Sequence, residues 1–293
     1  MIRQPGRRMV RDLLAEAEAV LVASGIGQPR REARLLLALS LGVDAVGLLA
    51  IGPAAEVEAA GFLALLHRRA ARTPMAYLIG RQGFWTLDLA VSDATLIPRA
   101  DTESLIEALL QARPDRNQVR RILDLGTGTG CLLLAALSEY SGAWGMGVDV
   151  SEAACRLARL NARDNRLDQR TAILCGDWAG AMRLPGSPDA GFDVVLSNPP
   201  YIPDADIAAL MPEVALHEPV RALSGGDDGL AAYRQIMLVL QHQLAPGGLA
   251  VLEVGVGQAG DVEALGSDAG LVPLGVRRDL GGVERAVVLE APL

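Results

Sequence analysis

The tetrapeptide Asn198-Pro199-Pro200-Tyr201 follows directly on residues 192–197, where Val194, Val195 and Leu196 make a short apolar run typical of a strand buried on both faces. Two consecutive prolines end such a strand abruptly, since neither can donate to a ladder and each restricts the residue before it. The result is a stiff loop presenting an amide and a phenol. The Asn198 side-chain oxygen and the Pro199 carbonyl are two acceptors on that loop, able to take both hydrogens of one NH2 group. A planar amide or aryl amine is a poor nucleophile because its lone pair is delocalised. Holding both hydrogens aims the nitrogen at an electrophilic carbon and favours its pyramidal form as positive charge develops. Tyr201 can close over the planar group by stacking. Asn198, Pro199 and Tyr201 are therefore the candidate catalytic residues, and Asn198, Pro199, Pro200 and Tyr201 the candidate substrate-binding set. No titrating base is demanded, since the proton can leave after transfer.

A second cluster supplies the other reactant. In "RILDLGTGTGCLLLAAL" an apolar strand ends at Asp124-Leu125, three glycines follow at 126, 128 and 130, and an apolar helix begins. Glycines there let the backbone bend sharply and let a ligand approach its amides, so a nucleotide-like ligand is implied. The dinucleotide fingerprint requires Gly or Ala at 131, where this chain has Cys131. A G-x-G-x-G turn instead resembles that of class I S-adenosylmethionine-dependent methyltransferases. Asp149 ends the next strand at roughly the ~20-residue distance at which a carboxylate contacts ribose hydroxyls in related folds. On the plainer alternative, Asp149 only assists the helix that Ser151 caps. Asp177 and Trp178 follow the third strand, and the indole can stack on an adenine or wall its pocket.

These residues need elements to hold them. Residues 9 to about 72 carry helical periodicity, which predicts a small bundle. "FWTLDLAVSDATLIPRADTE" alternates around Phe84, Leu87, Leu89 and Val91 and reads as a β-hairpin linker. Strands are expected at 121–125, 144–150, 171–175, 192–197, 249–254, 271–277 and 285–289, alternating with helices over the first five. That order predicts a doubly wound α/β domain with its ligands at the carboxyl ends of the strands. The expected organisation is a helical substrate-recognition domain at 1–75, a hairpin linker at 76–98 and a catalytic domain at 99–293.

Bulk properties narrow the function classes. The 293 residues are 51% hydrophobic, enough to bury a substantial core. No apolar run approaches the ~18 residues of a membrane span, and "MIRQPGRRMV" lacks the apolar centre of a signal peptide, so a cytoplasmic protein without membrane association is expected. A formal net charge of -8 argues against stable nucleic-acid binding. Cys131, Cys155 and Cys175 have no paired metal spacing, nor do His67, His217 and His242; no metal is expected. The basic cluster from Arg68 to Pro74 is read as a helix end that favours cations and can touch an acidic partner. Glu218 reads equally as a site residue or as a solvated carboxylate.

Together, "GTGTG" at 126–130, "GDW" at 176–178 and "NPPY" at 198–201 resemble the HemK/PrmC methyltransferases. These modify the side-chain amide of the glutamine in the Gly-Gly-Gln motif of class 1 peptide chain release factors, in support of translation termination. "PMAYLIGRQGFW" at 74–85, "LIPRADTE" at 96–103 and "EPVRALSGGDDGL" at 218–230 extend the resemblance over most of the chain and separate it from other NPPY enzymes. The family usually reads Pro where this chain has Ala100. The resemblance implies a class I fold, α/β with a Rossmann-like seven-stranded sheet, preceded by a helical bundle and a hairpin. It implies S-adenosylmethionine as cofactor, contacted by Gly126, Thr127, Gly128, Thr129, Gly130, Asp149, Trp178 and Asn198. Release factors are the implied partners. The alternative reading is a nucleic-acid methyltransferase acting on an exocyclic base amine; such enzymes flip the base and need a basic surface that the acidic composition does not favour.

Overall fold

The computed structural model describes residues 6–178 and 191–293. They group into two compact units: residues up to Gly80 with Met211–His217, and the described residues of Arg81–Leu210 with Glu218–Leu293.

In the first unit, β1 (Arg7–Met9) leads into α1 (Val10–Ala23), α2 (Pro29–Leu41) and α3 (Ala45–Ile51), then β2 (Glu56–Glu58), α4 (Ala60–Ala70) and α5 (Met75–Ile79). Helix α1 buries Leu13, Ala17 and Leu21, spaced four apart on one face, against Leu36, Leu37, Phe62 and Leu66. Leu78 of α5 is buried in the same cluster, so the first unit runs five residues past the boundary expected at 75. The antiparallel pair of β1 and β2, with Arg7 opposite Glu58, is too short for an alternating pattern to reveal.

The second unit opens with a hairpin, β3 (Arg81–Phe84) and β4 (Leu87–Ala90). Phe84 and Leu89 are buried in the core beneath the large sheet. The Trp85 amide at the turn donates to Glu103 Oε1 (2.7 Å) and its indole N–H to Glu139 Oε1 (2.8 Å). Asn161 grips Ala90 through both its N–H and C=O and also donates to the Thr129 carbonyl. The hairpin thus groups with the catalytic unit rather than standing apart at 76–98, because its inward side chains complete that unit's core.

After α6 (Glu103–Ala112) come β5 (Arg121–Leu125), α7 (Cys131–Glu139), β6 (Trp144–Asp149), α8 (Glu152–Asp164), β7 (Thr171–Cys175), β8 (Phe192–Ser197), α9 (Pro212–His217), α10 (Ala231–Gln243), β9 (Leu244–Glu253), α11 (Ala259–Asp268), β10 (Val272–Arg278) and β11 (Glu284–Glu290). One seven-stranded sheet results, in the order β10-β11-β9-β8-β5-β6-β7. The five strands from β9 to β7 are parallel, and β11 pairs antiparallel with both β9 and β10. The order reverses between β5 and β8, so their carboxyl ends open the crevice at which such sheets bind ligands.

Helix α9 belongs to the first unit although its flanks belong to the second. Arg69 is 5% exposed and binds Glu32 through Nε (2.5 Å) and Nη2 (3.2 Å), and Glu213 through Nη1 (2.9 Å). Arg72 takes the other Glu213 oxygen at 2.6 Å. The acidic partner of the basic cluster is therefore a carboxylate of this same chain.

Candidate active site

Three left-handed glycines shape the turn after β5: Gly126 (φ 71°), Gly128 (φ 55°) and Gly130 (φ 85°). The amides of Gly126 and Thr127 both donate to the Val148 carbonyl, pinning the turn to β6. Thr127 donates to Asp124 at 2.5 Å, and burial raises that carboxyl to about 7 against this hydrogen bond. The strand thus ends on a buried acid that fixes the turn from below. Asp149 accepts from the Gly128 amide (2.9 Å) and the Ser151 amide (2.8 Å), one on each oxygen. A carboxylate has about four acceptor positions, so each oxygen keeps one for a diol. Asp149 thus ties the glycine turn to the start of α8 and keeps acceptor positions free. Ser151 caps α8 by accepting from the Ala154 amide.

These residues face one cavity. Gly126, Thr127, Gly128, Thr129, Asp149 and Trp178 line it, and Asn198 and Pro200 line it from the loop after β8. Gly130, Pro199 and Tyr201 do not. Gly130 instead starts α7, where an added Cβ would meet Leu134 at 3.3 Å. Tyr201 packs against the core that contains Tyr233 and Val254, and its phenol donates to Glu253 Oε1 at 3.2 Å. Burial and the adjoining carboxyl raise its pKa.

The Asn-Pro-Pro-Tyr loop is held on both sides. Ser197 Oγ donates to the Leu125 carbonyl (2.7 Å), locking the ends of β8 and β5 together. The segment 218–230 runs beneath the loop: Ile202 bridges Ser224, its amide donates to Leu223, and the Gly225 amide donates back to Ile202. Gln258 donates to the Tyr201 carbonyl at 3.0 Å. Gly229 (φ 76°) lies so close that a Cβ would sit 2.5 Å from that carbonyl, so only glycine fits.

Sequence reasoning left Glu218 open and missed Arg221, Thr102 and Glu253. Glu218 is 5% exposed, bonds Arg99 at 2.5 Å and takes the Ile97 amide at 3.4 Å; burial raises its pKa against the pull of Arg99. It is a buried brace rather than a solvated carboxylate. Arg221 is the basic residue among the described cavity linings. Thr102 and Glu253 also stand out, because Asn198 Nδ2 donates to Thr102 Oγ1 (3.2 Å) while Glu253 is 2% exposed. A signal for Glu253 existed, a lone carboxylate inside the apolar run Leu249–Val254.

A mostly parallel sheet with this strand order, a glycine turn, a cavity-lining acid and an Asn-Pro-Pro-Tyr loop on one crevice define a methyltransferase of the S-adenosylmethionine-dependent class I type. A methyltransferase from Pyrococcus furiosus shares the fold, with a TM-score of 0.54 and 17% identity over 77% of this chain and 99% of that one. The PrmC N-terminal domain family matches residues 12–80 and the methyltransferase small domain family residues 99–238. The release factor glutamine methyltransferase of Rhodospirillum rubrum is 45% identical over 92% of this chain and 81% of its own length. That of Caulobacter vibrioides is 42% identical over 92% and 93%. The chain belongs to the release factor glutamine methyltransferase family.

Proposed function

We propose that this enzyme methylates the side-chain amide nitrogen of the glutamine in the Gly-Gly-Gln motif of class 1 peptide chain release factors. The observation that carries the reading is the Asn198 amide lining the same cavity as the glycine turn and Asp149, at the carboxyl ends of adjacent strands. S-adenosylmethionine, when bound, supplies an electrophilic methyl group on a sulfonium. Gly126 to Thr129 would let it approach the backbone, Asp149 would accept from its ribose hydroxyls, Trp178 would wall the adenine and Arg221 would meet its carboxylate. Asn198 Oδ1 and the Pro199 carbonyl hold the two amide hydrogens of glutamine, so the nitrogen is presented in line. The amide nitrogen would take the methyl as the C–S bond breaks, its electron pair returning to sulfur to leave a neutral thioether, and one proton would pass from nitrogen to solvent.

The first unit serves as the docking surface, since a glutamine in an exposed loop offers few contacts of its own and affinity must come from elsewhere. The reading carries a cytoplasmic location with it and no stable partnership with nucleic acid. The test is transfer of labelled methyl from S-adenosylmethionine to purified release factor, total RNA and DNA in parallel. Label in the release factor, absent when its Gly-Gly-Gln glutamine is replaced, is expected; label in nucleic acid alone would establish the base-amine alternative.

A further inference from the structure

We propose that Thr102 and Glu253 are positioning residues: a train of hydrogen bonds from Asn198 through Thr102 to Glu253 decides which end of the Asn198 amide faces the cavity. The inference rests on the reading of Asn198 given above.

Asn198 Nδ2 donates to Thr102 Oγ1 at 3.2 Å, and Thr102 is 1% exposed. Having accepted from Asn198, the hydroxyl keeps one proton to give. The Glu253 carboxyl interacts with it as an acceptor would, its pKa drawn down by Thr102 and by Tyr201 against the effect of burial. Tyr201 donates to Oε1 of the same carboxyl, and Tyr233 donates to the Glu253 backbone carbonyl at 2.8 Å. One buried carboxyl thus stands between the two polar side chains of the catalytic loop. Oε2 is buried and without a hydrogen-bond partner among the described residues, an open acceptor on the carboxyl that Thr102 and Tyr201 both influence.

Ionised, above its value of about 7, the Glu253 carboxylate has acceptors only, and that fixes the sense of every bond leading to it. Thr102 must point its proton towards Glu253, its lone pair must face Asn198, and Asn198 must turn its NH2 inward. Oδ1 is then left for the cavity. An Asn198 amide rotated by half a turn would offer the substrate NH2 a donor and lose the acceptor that the reaction uses. Backbone strain and packing do not distinguish the two orientations, because the amide is nearly symmetric in shape.

Glu253→Gln tests this against a plain packing role. The variant keeps the volume but puts a donor where an acceptor stood, so one of the two hydroxyls must reverse. Thr102→Val keeps the shape and removes the hydroxyl; Thr102→Ser restores it. The chain has four asparagines, Asn117, Asn161, Asn165 and Asn198, so 15N-asparagine labelling of the full-length protein gives four side-chain amide signals, with Asn198 assigned from Asn198→Ala. The expected result is a protected, well-dispersed Asn198 amide in the wild type and in Thr102→Ser, collapsed in Thr102→Val and Glu253→Gln. Single-turnover methylation of release factor falls about 10²-fold in the last two at saturating S-adenosylmethionine, while the KM for release factor, set by the first unit, holds. Wild-type signals or wild-type rates in both isosteric variants would overturn the proposal. If Glu253→Gln fails to fold, as thermal melts will show, the Val and Ser pair at 102 decides alone. A wild type with the expected amide signal that transfers no methyl to release factor refutes the substrate and leaves the hydrogen-bond train standing.

Discussion

The phenol of Tyr201 donates to Oε1 of Glu253 across 3.2 Å, joining the loop after β8 to the end of β9. Glu253 is buried at that junction, and burial pushes its carboxyl to about 7 despite the hydrogen bonds from Thr102 and Tyr201 and the charge of Arg285; Asp101 adds to the rise. An unfolded glutamate titrates at 4.5. Between those values the folded protein binds the proton more tightly, so this group's contribution is full below 4.5 and is lost as pH rises through about 7. Glu253→Gln removes this titration, so the stability of the variant relative to wild type should rise as pH increases from about 4.5 through about 7. Thermal melts of both proteins across pH check it; a constant difference in Tm would show that the carboxyl does not titrate in this window.

Asn198→Ala removes the acceptor that orients the substrate amide, and Asn198→Asp adds charge where a cationic cofactor binds. Both should lower turnover by two or more orders of magnitude, since one well-placed polar contact to a transition state is worth ~2.7 to 4 kcal/mol. Single-turnover transfer at the wild-type rate in Asn198→Ala would remove Asn198 from the chemistry.

Gly128 combines φ 55° with a place on the cavity wall, its amide bonded to Asp149. Gly128→Val puts a branched side chain into a left-handed backbone and into the space of the ligand. The variant should fold and lose S-adenosylmethionine binding by calorimetry; unchanged affinity would place the ligand elsewhere.

Arg69 holds Glu32 and Glu213 together inside the first unit, with its side chain 7% exposed. Glu213 is kept below the ordinary carboxylate range by its own backbone amide, Arg69 and Arg72, against the opposing effect of burial. Its contribution is present at neutral pH and lost as pH falls through the lowered value. Arg69→Met leaves two partly buried carboxylates facing each other and should cost ~3 to 5 kcal/mol. A chemical melt at neutral pH measures this, and a loss below 1 kcal/mol would assign the cluster to the surface class.

A chain beginning at Arg81 should still bind S-adenosylmethionine and methylate intact release factor with a raised KM, if the first unit provides uniform binding. Folding of the shortened chain is checked by melts. A well-folded product with the full-length kcat/KM would show that the docking surface lies outside residues 1–80.

The sequence by itself determined every feature that depends on neighbours along the chain. The apolar run of β8, the glycine turn after β5, the caps at Ser151 and the helical periodicity of α1 are local patterns. The doubly wound class followed as well, because alternating helices and strands leave few arrangements, while the placement of β11 between β9 and β10 came only with the fold. The stiffness of Asn-Pro-Pro-Tyr was legible for the same reason. Only the tertiary structure decided what lies across the fold from those patterns. Thr102 precedes Asn198 by 96 residues, and Glu253 meets Tyr201 from 52 residues away. Nothing local marks such pairs. Glu218, a loop carboxylate by its neighbours, became a buried brace because Arg99 and the Ile97 amide fold onto it. Helix α9 joined the first unit through Glu213, bound by arginines 141 and 144 residues earlier. A buried charge is tolerable only where its partners converge, and convergence is a property of the packed chain rather than of its order.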